Sequence, residues 1–159
     1  MTVEEKAIRK EMPIPAGLEQ VWCAWSTLDG VQSFFAPQAK VELAIGGAYE
    51  MYFDLAAPPG SRGGEGCRIL SYLPPRMLSF SWNAPPRYPT VREVPTWVVV
   101  EVEEQGATAC QVRLTHLGWR VGGEWDEVYD YFVRAWDLVL MRLAYRFSTG
   151  PVDWEDPPR

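Results

Sequence analysis

Residues 7–15, AIRKEMPIP, alternate apolar and polar positions, which predicts a first strand ending at Pro13 and Pro15. Leu18, Val21, Trp22 and Trp25 then recur at helical spacing. A second short helix is expected in LDGVQSFF, with Thr27 or Asp29 near its cap and Pro37 after it. AKVELAIGGAYEMYFDLA reads as two strands joined at Gly46-Gly47. CRILSYL and RMLSFSW predict two more strands around Pro74-Pro75, and TWVVVEVEE and ATACQVRLTHL a further pair around Gln105-Gly106. From about residue 123 the period changes from 2 to 3.6. Trp125, Val128, Tyr129, Phe132, Trp136, Val139, Leu140, Leu143 and Phe147 form one stripe, predicting an amphipathic helix of roughly six turns over 123–147.

Sequential antiparallel strands pair with their neighbours, so the six strands after the short helices form a meander and the first strand takes an edge of the same sheet. The long helix has only that sheet to bury its apolar face against. Alternate loops of a meander lie at the same end. The Pro/Gly-rich loops 57–66 and 83–95 therefore meet the turn 117–123. That end is the expected mouth of any cavity between helix and sheet.

Alternation also assigns faces. Tyr49, Met51, Phe53 and Leu55 share one face, Leu78, Phe80 and Trp82 another, and Cys110, Val112, Leu114 and His116 a third. In TWVVVEVEE the all-valine face is expected inside, which puts Trp97 outside. CRILSYL leaves its register open, with Arg68 inside in one of the two.

Eight Trp and a 13% aromatic content exceed what an ordinary core requires, so rings are expected to line a cavity as well as fill the interior. A length of 159 residues fits one domain. The net charge of −6 offers no basic stripe for nucleic acid or an anionic membrane. The start of the chain lacks a signal-peptide pattern, and no apolar run approaches the ~20 residues of a membrane span. Cys23, Cys67 and Cys110 are odd in number and form no C-x-x-C, so reduced, mostly buried thiols in a cytoplasmic protein are expected. With one histidine and three scattered cysteines, no metal site is expected. PPGSRGGEG has no Lys-Ser/Thr after its glycines and Gly46-Gly47 precedes no helix, so neither is a phosphate loop, and no cofactor is expected.

IPAGLEQVWCAWS, IGGAYEMYF, LSFSW, LTHLGW and a terminal helix holding Trp125 and Trp136 occur in that order. Together they resemble the bacterial single-domain branch of the activator of heat-shock protein 90 ATPase homologues, in the START-like (SRPBCC) superfamily. The resemblance runs from about residue 7 to 147. It implies an α+β helix-grip fold: a seven-stranded curved antiparallel sheet around the long C-terminal helix, with two short helices between strands 1 and 2. Residues 1–150 would form that START-like domain and 151–159 a tail. It also implies a deep apolar cavity.

The resulting expectation is binding of a small, largely hydrophobic or lipid-like ligand. The cavity candidates are Tyr49, Met51, Phe53, Phe80, Trp82, Val112, Leu114, His116, Trp125, Tyr129, Phe132 and Trp136. One alternative is a co-chaperone-like interaction module with a protein partner or a homodimer, to which Trp154 in the polar tail is the hint. The other is a cyclase or hydrolase using His116. No carboxylate or nucleophile is tied to His116 by sequence, so a ring hydrogen-bonded to the backbone at the strand-to-helix junction is expected before a catalytic base.

Overall fold

The computed structural model describes residues 5–159. Seven strands and four helices follow one another as β1 (Ile8–Ile14), α1 (Leu18–Ser26), α2 (Leu28–Gln32), β2 (Gln38–Val41), β3 (Tyr49–Tyr52), β4 (Ile69–Leu73), β5 (Met77–Trp82), α3 (Pro89–Arg92), β6 (Thr96–Glu104), β7 (Cys110–Leu117) and α4 (Glu124–Ser148). This is the α+β helix-grip arrangement that the resemblance implies, with two sheets where one of seven strands was expected. The strands divide into a five-stranded sheet, β1-β7-β6-β5-β4, and a two-stranded sheet, β2-β3. Backbone bonds from Tyr49 N–H to the Cys67 carbonyl (2.9 Å) and from Ile69 N–H to the Gly47 carbonyl (2.8 Å) join the two. β1 takes the far edge against β7, with Ile8 opposite His116 and Ile14 opposite Cys110.

The valine face of β6 is inside, with Val98, Val100 and Val102 buried and Trp97 outside. In β4 the open register resolves with Cys67 and Ile69 buried and Arg68 exposed. A register shift between Ile69 and Ser71 marks a bulge that turns the strand there. Two expectations are corrected. The paired stretch of β2 and β3 is only four residues on each side, and a wide loop replaces the tight Gly-Gly hairpin. β3 also stops at Tyr52, so Phe53 and Leu55 leave the inner face and emerge 45% and 39% exposed. The loop 83–95 contains the short α3, which its Pro content masked.

α4 buries Val128, Phe132, Trp136, Leu140 and Leu143 against the concave side of the sheet. At the β1 edge, Lys10 reaches Asp137 of α4 at 3.0 Å and Lys6 reaches Asp126 at 3.6 Å. These exposed pairs orient the seam more than they stabilise it. α1 and α2 close the remaining side. Thr27 joins them: its hydroxyl donates to the Cys23 carbonyl at 2.7 Å and accepts from Gly30 N–H at 3.0 Å. Their close crossing brings Trp25, Phe34 and Phe35 into edge and tilted ring contacts at 5.0–5.7 Å.

At the loop end, Arg92 ties the long loops together. Its guanidinium donates to the carbonyls of Gly63 (2.8 Å), Ala84 (2.6 Å) and Gly60 (2.9 Å). It also meets the Glu65 carboxylate at 3.4 Å. Glu65 in turn accepts backbone N–H groups of Gly60, Arg62 and Gly63, which hold its carboxyl below the ordinary range against the opposing effect of burial. The expected mouth is thus a braced structure and not a pair of slack loops.

The α1–α2 crossing depends on Gly30. A Cβ there would sit 2.7 Å from Ala24 Cα and overlap the Cys23 carbonyl oxygen. Gly30→Ala should therefore destabilise the protein by about 2 kcal/mol or more, although alanine favours a helix by about 1 kcal/mol. Urea unfolding checks this; a variant as stable as the parent would show that the crossing has slack.

Candidate functional site

His116 lies on the inner face at the end of β7 and is fully buried. The indole N–H of Trp136 on α4 donates to its Nδ1 at 3.0 Å. Its Nε2 is 2.7 Å from the Thr96 hydroxyl, and that hydroxyl donates to the Trp82 carbonyl at 2.8 Å. An indole N–H only donates, so Nδ1 accepts and the neutral ring carries its proton on Nε2. The chain then runs one way, from Trp136 through His116 and Thr96 to Trp82. The backbone carbonyl of His116 also accepts from the Trp119 indole at 2.9 Å. Both ring nitrogens are engaged, so the imidazole has no lone pair left for a substrate proton. Burial pushes its pKa down to about 3. The ring is held by side chains of α4 and β6, where a bond to the backbone was expected.

The aromatic candidates separate into three groups. Tyr49, Met51, Phe80, Val112 and Leu114 are fully buried with His116 in a closed core. The Tyr49 hydroxyl donates to the Trp25 carbonyl at 2.7 Å, and burial raises its pKa well above the ordinary value. Trp125 and Tyr129 stand with Trp119 beside β1, where the Tyr129 hydroxyl donates to the Ala7 carbonyl at 3.2 Å. Phe53, Trp82, Phe132 and Trp136 line one open space beside α4.

That space is a groove along one flank of α4. One part, of about 330 Å³, lies between α4 and the two long loops. A second part, of about 210 Å³, continues along α4 toward Phe35 of the α2 end and Arg142. The two share Phe53, Trp82, Tyr131 and Phe132. Trp82 and Trp136 are 5.6 Å apart and Phe132 stacks on Trp136 at 6.0 Å, so its floor is a continuous ring surface. The deep enclosed cavity implied by the resemblance is therefore replaced by an open groove. Trp25, Phe34, Phe35, Tyr49 and Phe80 fill the interior behind it.

Several groove residues were not anticipated: Phe35, Tyr131, Ala135, Leu138 and Arg142. The last four recur at intervals of 4, 3 and 4 beside the main stripe, a second helical line that a wider apolar sector would have revealed. A separate cleft of about 290 Å³ lies between α1, α2 and the end of α4. Gln20, Thr27, Asp29 and Arg146 line it, with Phe147 as its one aromatic, so it has no ring floor like that of the groove. Cys67 and Cys110 are buried and Cys23 is exposed; burial pushes the Cys67 thiol up to about 12, away from reactivity. Among the described residues no cluster of three metal-ligating side chains gathers, and no helix is long and apolar enough to cross a membrane.

The family model for Activator of Hsp90 ATPase homolog 1-like protein matches residues 15–148. No curated protein matches the sequence. A protein from Mesorhizobium loti superposes with a TM-score of 0.70 at 16% identity, covering 87% of this chain and 94% of its own. The Aha1 dimer from Colwellia psychrerythraea gives 0.66 at 18%, covering 91% and 98%. An AHSA1-like protein from Rhizobium etli gives 0.65 at 20%, covering 98% and 91%. At such identities these structures establish the fold.

The state of His116 has a consequence for stability. In the unfolded chain its pKa is about 6.5, so between that pH and about 3 the unfolded state binds a proton that the folded state refuses. Its contribution is complete above pH 6.5 or so and is lost as the pH falls, by about 1 kcal/mol per pH unit. His116→Gln should be less stable than the parent at pH 7, with the gap narrowing toward pH 5. Urea unfolding at a series of pH values checks this, and parallel profiles would contradict it.

Proposed function

We propose that this chain, which belongs to the Activator of Hsp90 ATPase homolog 1-like family, binds a small, largely apolar ligand in the groove between α4 and the long loops. The observation that carries the reading is an open space of about 330 Å³ lined by aromatic rings beside α4. The aromatics behind it are packed to closure, yet Phe53 at its rim is 45% exposed and the floor of Trp82, Phe132 and Trp136 borders open volume. About 330 Å³ in one part alone is within the range that small organic ligands occupy. The braced loops favour a preformed site, which spares a ligand the ordering cost of closing them.

His116 supports this reading through position and not through chemistry. It holds Trp136 and, by way of Thr96, the end of β5 that carries Trp82. A cyclase or hydrolase built on it would need a free ring nitrogen. The protein-interaction reading draws on the dimer of the Colwellia psychrerythraea protein. In this chain, however, the Trp154 indole donates to the Gln32 carbonyl at 2.7 Å and its ring lies 5.5 Å from the Arg142 guanidinium, so the tail's aromatic is turned to its own domain.

Ala135→Trp should fill the groove from the α4 side. Titration with a neutral solvatochromic dye such as Nile red, followed by fluorescence, should show saturable binding to the parent. The variant should bind at least about tenfold more weakly, the loss of about 1.4 kcal/mol expected when a small pocket is obstructed. Equal dye binding by a folded Ala135→Trp would place the site elsewhere.

A further inference from the structure

The groove of this acidic protein is bordered by three arginines: Arg62 and Arg87 in the larger part and Arg142 in the smaller. Arg62 donates through Nε to the Ala57 carbonyl at 2.8 Å, and Arg142 through Nε to the Pro158 carbonyl at 3.1 Å. Arg87 makes no hydrogen bond or ion pair among the described residues. It is held by ring faces alone, 5.0 Å from Tyr88 and 4.9 Å from Tyr131. The Nη nitrogens of all three make no hydrogen bond among the described residues. Only one carboxylate borders the same space, that of Asp54. It accepts from Ala56 N–H at 3.1 Å and pairs with none of the three.

Elsewhere Arg92 is bound to Glu65, Arg113 to Glu11 and Glu103, Lys10 to Asp137 and Lys6 to Asp126, while Lys40, Arg68, Arg76, Arg120, Arg134 and Arg146 make no ion pair among the described residues. What distinguishes Arg62, Arg87 and Arg142 is that they border one aromatic-floored groove without a paired carboxylate. Burial, and then the nearby Arg159, lower the pKa of Arg142, whose guanidinium meets the Pro158 carbonyl and the Trp154 ring but no carboxylate. Unpaired guanidinium forks beside an apolar floor suit a carboxylate or phosphate carried on a hydrophobic body.

We infer that the groove takes an amphipathic organic anion, its apolar body on Trp82, Phe132 and Trp136 and its charged group at the arginines. This rests on the ligand-binding reading above and adds the chemical class. The local positive field would concentrate such a ligand against the overall charge of −6. Planar guanidiniums accept carboxylates and phosphates alike, so the shared feature is the anionic head.

Matched ten-carbon probes test this below their micelle concentrations: decanoate, decyl phosphate, decanol and decylammonium, titrated into the full chain by calorimetry. Decanoate, decyl phosphate or both should bind about tenfold tighter than decanol, with decylammonium weakest, and raised salt should narrow that difference. Which anion binds better identifies the head group. Arg87→Gln combined with Arg142→Gln should remove most of that preference, read as the ratio of anion to decanol affinity within the same variant. The urea midpoint verifies that the variant is folded, and single Arg87→Gln, at an exposed position, gives a smaller loss in the same direction. Decanol binding as tightly as both anions, or a preference that survives the double substitution, overturns the inference while the apolar groove stands. Failure of all four probes to bind overturns both.

Discussion

The interior is organised by one directed chain of hydrogen bonds, from the Trp136 indole through His116 and Thr96 to the Trp82 carbonyl. It joins the middle of α4 to the ends of β7, β6 and β5. The two ends have one role each, a donor-only indole and an accepting carbonyl, while the neutral His116 ring and the Thr96 hydroxyl each accept on one side and donate on the other. A buried polar network of this kind specifies a single packing only if every member is satisfied, and here each is. Burial lowers the pKa of His116, and a proton on it would also leave two donors facing each other at Nδ1.

The groove follows from that arrangement. The Trp136 indole and the Trp82 carbonyl find their polar partners on the core side, while both residues line the base of the groove. The remaining aromatics close the space behind them. Trp25 packs edge-on to Phe34 and Phe35, and its buried N–H has no conventional acceptor among the described residues. Those two ring faces are its neighbours and offer at most a weak N–H···π contact. The front of the groove is set by the loops, which the Arg92–Glu65 cluster keeps at fixed separation. At its far end the tail folds back, with Val152 N–H bonded to the Ser33 carbonyl at 2.9 Å and Trp154 to Gln32.

Much of the fold was legible in the chain because periodicity changes so sharply near residue 123. Six strands of period 2 before one long stripe of period 3.6 leave few ways to bury both. The valine face of β6 was readable because a one-residue slip would have placed Glu101 and Glu103 inside. The site was less legible. Alternation placed Phe53 inward as if β3 continued, but the strand ends at Tyr52 where the chain turns into the loop. The stripe on α4 did not say which flank faces open volume. That depends on the long loops crowding the α4 flank bearing Tyr131 and on β1 covering the flank bearing Tyr129, both non-local facts. Arg62, Arg87 and Arg142 are far apart in sequence and border one groove only through the topology.

The central claim is that a ligand lies on the ring surface between α4 and the loops. The eight indole N–H groups give a direct readout by two-dimensional proton–nitrogen NMR during titration with decanoate. The account predicts progressive, saturable shifts of the Trp82 and Trp136 signals, the latter through its bond to His116, while those of Trp22, Trp25 and Trp97 stay in place. Shifts confined to Trp22, Trp25 or Trp97, with Trp82 and Trp136 unmoved, would contradict it.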